Sequence, residues 1–155
     1  MRIFLNFILL LVIALIPTIL ATSCQNEDDI DAIFNGKTWF ITGGCINGTN
    51  ITGEELKSIY ANANSFFLTF SASTFGGVLV AGSNVSGTWK ADGKDQSIYL
   101  NFQSESNVNL SPLSSNIYNV LKNAQHYSGD VNVLKIMQDN YNYIRLSSQR
   151  NTSNF

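Results

Sequence analysis

The chain has 155 residues, 13% of them charged, and a formal net charge of −2, which suits one compact domain with its own core and leaves little room for two. No Lys/Arg cluster of the kind that neutralises phosphates is present, so a nucleic-acid partner is not expected. The 45% hydrophobic content, with abundant Asn, Ser, Thr and Gly, belongs to a β-rich exported protein and not to a disordered one.

The first element is a targeting segment. Met1-Arg2 is a short positive start, Ile3 to Leu20 is apolar apart from Asn6 and Pro17, and Ala21, Thr22 and Ser23 are small. Residues 1–23 therefore read as a bacterial secretion signal. A retained transmembrane anchor is the competing reading, since the run approaches the roughly 20 residues that cross a bilayer. "LATSC" resembles a lipobox, which makes Cys24 the lipidation site and the first mature residue, although Ala21 stands where a Leu is usual. Several acyl chains hold a polar protein on a membrane where one would let go. Ala21 and Ser23 also fit ordinary cleavage, and an unlipidated form could join Cys24 to Cys45. Without that bridge Cys45 reads as a small buried hydrophobe.

Residues 24–31, "CQNEDDID", carry four acids, so 24–35 reads as an acidic flexible tether. "CQNEDD" also resembles the acid-rich export signal of Bacteroidetes surface lipoproteins. That resemblance implies a lipid anchor in the outer membrane at the cell surface, with a periplasm-facing position as the other outcome.

From Lys37 onward, short segments rich in aromatic and β-branched residues alternate with Gly, Asn and Asp. Strands are expected at 37–43, 65–71, 76–82, 85–91, 96–103, 124–129, 131–138 and 140–148, with a tight turn at Asp139-Asn140. Phe66, Leu68 and Phe70 share one face, as do Ile98, Leu100 and Phe102, while Ser97, Tyr99 and Asn101 face the other way. Two short helices interrupt this pattern. One lies near 53–62, where Thr52 and Glu55 have capping-box spacing and Leu56, Ile59 and Tyr60 fall on one face. The other spans 116–124, with Ile117, Val120 and Leu121 at i, i+3, i+4. The polar stretch from 104 to 115 reads as a loop.

Eight antiparallel strands must bury one face, and closing them into a barrel also removes the edges. The expected fold is mostly β: an antiparallel eight-strand lipocalin-like barrel or flattened sandwich with one or two short helices, over 36–149, followed by a disordered tail at 150–155. Gly36-Lys37-x-Trp39, "NGTNIT", "FFLTF", "VSGTW", "IYLNF" and the closing "YIRLSS" together resemble the lipocalin-like domains of flavobacterial and other Bacteroidetes lipoproteins. Where those domains often place a Trp entering the sixth strand, this chain offers His126 or Tyr127.

No catalytic set emerges. His126 is the sole histidine and has no metal-ligand spacing around it, and a Cys45/His126 pair would need the fold to unite them. Glu54 and Glu55 point apart on a helix, and Asp92, Asp95, Asp130 and Asp139 sit in turns that favour Asp for backbone reasons. Phosphate-loop, H-E-x-x-H and G-x-S-x-G patterns are missing. The expectation is therefore no enzyme, no cofactor and no metal. Phe67, Tyr99, Tyr141 and Tyr143, on the second face of their strands, are the candidates for lining a pocket or forming a contact patch. The expected role is that of a membrane-anchored envelope protein whose barrel binds a small hydrophobic ligand, and the alternative is docking of an envelope protein or glycan by a barrel with a solid core. An internal cavity would favour the first, and a filled core with Tyr99, Tyr141 or Tyr143 exposed together the second.

Overall fold

A computed structural model describes residues 28–81, 83–105 and 110–150, without the side chains of 104 and 105. Its elements in chain order are α1 (Ile30–Ile33), β1 (Thr38–Ile46), β2 (Thr49–Asn50), α2 (Gly53–Ala61), β3 (Phe67–Phe70) and β4 (Thr74–Val80). Then come β5 (Ser83–Asp92), β6 (Ser97–Glu105), α3 (Pro112–Lys122), β7 (His126–Gly129), β8 (Val133–Met137) and β9 (Tyr143–Ser147). Each expected strand is present. β2 is an addition, a two-residue hairpin arm that pairs with the end of β1.

Every neighbour in the order β1-β3-β4-β5-β6-β7-β8-β9 pairs antiparallel, and β9 returns to β1 through Phe40↔Ser147, Ile41↔Leu146 and Cys45↔Tyr143. The sheet is thus a closed eight-stranded barrel and not a sandwich. Closure is uneven: β5 and β6 pair from Val85↔Glu105 to Asp92↔Ser97, whereas β6 meets β7 at Ser97↔His126 alone. Helix α3 packs against β6 on one side of this seam and against β8 beyond it.

The expected alternation sets the register. Leu68, Phe70, Ile98, Ile136 and Ile144 are fully buried inside, and Tyr99 on the outer face of β6 is 62% exposed. Phe66 is also buried, though it stands just before β3 with φ 57° and its carbonyl accepts from the Ile41 N–H. Tyr127, not His126, fills the inward position entering β7.

The helices plug the ends. Asp29 caps α1 by accepting from the Ala32 N–H at 3.0 Å, and the turn delivers Phe34, fully buried, among Phe70, Trp89 and Tyr127 at centroid distances of 5.1–5.2 Å for each ring. Trp39 Nε1 donates to the Ile33 carbonyl, fixing this plug to β1. From Asp28 to Asn35, therefore, the stretch read as a tether is built into the fold. Its residues 24–27 lie outside the described residues.

At the opposite end α3 begins at Pro112, earlier than the periodicity indicates, because Ser111 caps it by accepting from the Ser114 N–H and Pro112 supplies a ready helical φ. Leu113, Ile117, Val120 and Leu121 are buried beneath it. Thr52 is the N-cap of α2 as its spacing implies, yet its side chain makes no cap hydrogen bond. Arg150 is also part of the packed structure: its guanidinium donates to the Asn62 and Ser65 carbonyls and lies 4.5 Å from the Phe40 ring centroid. Residues 151–155 of the expected tail lie outside the described residues.

Candidate functional site

The barrel interior comes first, because it decides between the two roles. A run of aromatic rings crosses it from the α1 plug to α3: Phe34 to Phe70 at 5.2 Å, Phe70 to Phe75 at 6.0 Å, Phe75 to Phe102 at 4.9 Å and Phe102 to Tyr118 at 4.7 Å. Several of these contacts are edge-on, the arrangement that aromatic quadrupoles favour. Trp39, Leu79, Ile98, Ile117, Leu121 and Ile136 pack around this run, all fully buried. These side chains pack against one another along the line of the run.

Polar groups inside the core are satisfied. Ser114 Oγ donates to the Leu79 carbonyl at 2.9 Å, and the Tyr127 hydroxyl donates to Asp28 Oδ2 at 3.0 Å. Burial, followed by the hydrogen bond to Asp28, pushes the Tyr127 hydroxyl well above the ordinary phenol range.

The candidate aromatic residues do not converge. Phe67 sits on the outer face of β3 beside Phe40, with ring centroids 6.3 Å apart. Tyr99 stands on β6, away from the others in the strand order. Tyr141 lies in the β8–β9 turn, against Gly48, and is 70% exposed. The Tyr143 ring lies 3.9 Å from Lys135 Nζ, which covers it. Cys24 lies outside the described residues.

Cys45 is buried and free, while His126 is exposed at the start of β7, so the two are not presented as a pair. Among the described residues no group of three or more His, Cys, Asp or Glu is placed to hold a metal ion. The turn aspartates bond to backbone N–H groups: Asp92 to Lys94, Asp95 to Ser97, Asp130 to Asn132 and Val133, and Asp139 to Tyr141. Hydrogen bonds hold three of these carboxyls below the usual range, led by the Ser97 hydroxyl for Asp95, the Asn132 N–H for Asp130 and the Asn142 amide for Asp139.

A concave feature that the sequence reading missed lies on the outer wall of β7, β8, β9 and β1. It is an open groove of about 330 Å³ whose lining includes Thr42, Ser128, Val133, Lys135, Arg145 and Ser147. The registers Ser128↔Lys135, Lys135↔Arg145 and Arg145↔Gly43 place Ser128, Lys135 and Arg145 in one row. The alternation of "VLKIM" and "YIRLS" shows that Lys135 and Arg145 face outward. Their alignment depends on strand register, which no local pattern reveals.

Architecture and site together define a helix-plugged, closed antiparallel β-barrel with a cationic groove on its wall. Residues 25–147 match the family described as a domain of unknown function, DUF4847, and the chain belongs to that family. The fold is also similar to the crystal structure of a DUF4847 family protein from Bacteroides vulgatus ATCC 8482, with a TM-score of 0.62 and 24% identity over 79% of this chain and 99% of that one. No curated protein matches the chain.

Proposed function

We propose that this protein is a lipid-anchored envelope lipoprotein whose barrel is a non-catalytic docking module with a solid core. The ring run from Phe34 to Tyr118 supports this reading, because its rings touch one after another between α1 and α3. A barrel that carries a small hydrophobic ligand keeps that volume open. The anchor is supported by "LATSC" and the acid-rich residues that follow it, and by the lipocalin-like resemblance of the domain. The outer membrane, at the cell surface, is the location this combination favours.

The test is native mass spectrometry of residues 25–155, which contain every described element, purified from a bacterial envelope. A solid core gives the apo mass under gentle conditions. A reproducible extra mass that extracts as a lipid or another apolar compound would replace docking with ligand carriage.

A further inference from the structure

Lys135 and Arg145 stand directly opposite each other on β8 and β9. Like charges in that relation destabilise a sheet pair. Among the described residues neither cation has a carboxylate within ion-pairing distance. The nearest turn acids in sequence are engaged elsewhere: Asp139 accepts from the Tyr141 N–H at 2.7 Å and from the Asn142 amide at 3.0 and 3.1 Å, and Asp130 from two backbone N–H groups at 2.7 and 3.1 Å.

The wall around the cations is shaped to hold them. A register shift between Ile41 and Gly43 makes a bulge opposite β9, a device that re-aims side chains. Thr42 is pinned there, its hydroxyl donating to the Arg145 carbonyl and its own carbonyl accepting from the Tyr60 hydroxyl. Gly43, at φ +141°, leaves bare backbone under the guanidinium: Arg145 Nη2 is 3.3 Å from where a Cβ would stand. The guanidinium fork is thus spread beside the groove with no carboxylate on it. Lys135 is drawn toward Tyr143, which leaves the floor between the two cations open.

We propose that this groove is a binding site for an acidic saccharide, with the Arg145 fork on a sugar carboxylate, Lys135 as the second cation, and Thr42, Ser128 and Ser147 facing the sugar hydroxyls. A guanidinium matches a carboxylate through two parallel N–H donors. β8 and β9 are paired on both edges along the groove, so an acidic peptide could not add as a strand and would forgo main-chain hydrogen bonds. Recognition must come from side chains, and cations flanked by hydroxyls suit a polyhydroxylated anion.

The inference deepens the docking reading and rests on it. The test is amide-resolved NMR titration of residues 25–155 with trigalacturonate, beside maltotriose, inorganic phosphate and hexaglutamate. Trigalacturonate is expected to shift the amides of Ser128, Lys135, Arg145 and Ser147, with binding at least tenfold weaker in Arg145→Gln and in Lys135→Gln, and maltotriose is expected to leave those amides unmoved. Trigalacturonate leaving those amides in place would overturn the site. Hexaglutamate or phosphate binding as tightly as the sugar acid would overturn the saccharide. A lipid in the native mass measurement would remove the docking reading separately, because the amide shifts report on the outer wall alone.

Discussion

The Tyr127 hydroxyl donates to Asp28 Oδ2 at 3.0 Å, joining the start of the described chain to β7 across 99 positions. Gln96 Nε2 donates to the same oxygen, and the Asp28 N–H reaches the Gly93 carbonyl, so the N-terminal segment is fastened at the β5–β6 turn. The raised Tyr127 ionisation has a definite sign. Below the ordinary value of 10.0 both folded and unfolded forms keep the proton. Above it the unfolded chain releases the proton first, so stability falls as pH rises toward the folded value. Tyr127→Phe should cost about 1.5–3 kcal/mol at neutral pH, the worth of a hydrogen bond to a charged group. It should also flatten the alkaline decline, as read from urea midpoints at neutral and alkaline pH. An unchanged alkaline slope would show that Tyr127 is not its source.

Phe34 is held by three rings and fully buried, so its removal opens a hole at the plugged end. Phe34→Ala is expected to destabilise by about 3–5 kcal/mol, with Phe34→Leu well short of that. Denaturant unfolding measures both. A loss under about 1 kcal/mol for the alanine variant would mean that the segment before β1 is a dispensable extension and not a plug.

Ser114 ties α3 to the barrel wall through the Leu79 carbonyl, and both groups are buried. Ser114→Ala removes the donor and strands the acceptor, at a cost of about 1–3 kcal/mol. Ser111→Ala should cost about 1 kcal/mol through the lost cap. The two serines also share a hydrogen bond, so their costs should not add in the double variant, which chemical denaturation can establish.

Much of this architecture is written locally. Period-two alternation in "FFLTF" and "IYLNF" shows which face turns in, because one face must bury, whereas eight such segments fit a barrel or a sandwich and only the β9–β1 pairing decides for closure. The α1 plug is also legible: Asp29 as cap, then Ile30, Ile33 and Phe34 at i, i+3, i+4. Its acids point to a tether only when composition is weighed ahead of spacing. Ser111-Pro112 is a helix start of the same kind, masked by the polar residues before it. The groove is different. Lys135 and Arg145 sit ten positions apart and meet only through the β8–β9 register, while the space beneath Arg145 depends on a bulge in β1. Non-local pairing of that sort leaves no periodic trace in the chain.

The anchor yields the last prediction. Asp28 is bonded into the barrel, so only residues 24–27 separate a lipidated Cys24 from the fold, a reach of at most about 14 Å when extended. A barrel so tethered stands on its α1 end, with the β5–β6 turn beside the membrane. Cys24→Ala should move the protein from the membrane pellet to the soluble fraction, because it removes the acyl chains that hold a polar protein on a membrane. Lengthening the link with a Gly-Ser spacer after Asn26 should keep the protein in the pellet while making Gly93-Lys94 more accessible to a protease cutting after lysine. A Cys24→Ala variant that still pellets at high salt would overturn lipidation, and equal protection with and without the spacer would overturn the upright orientation alone.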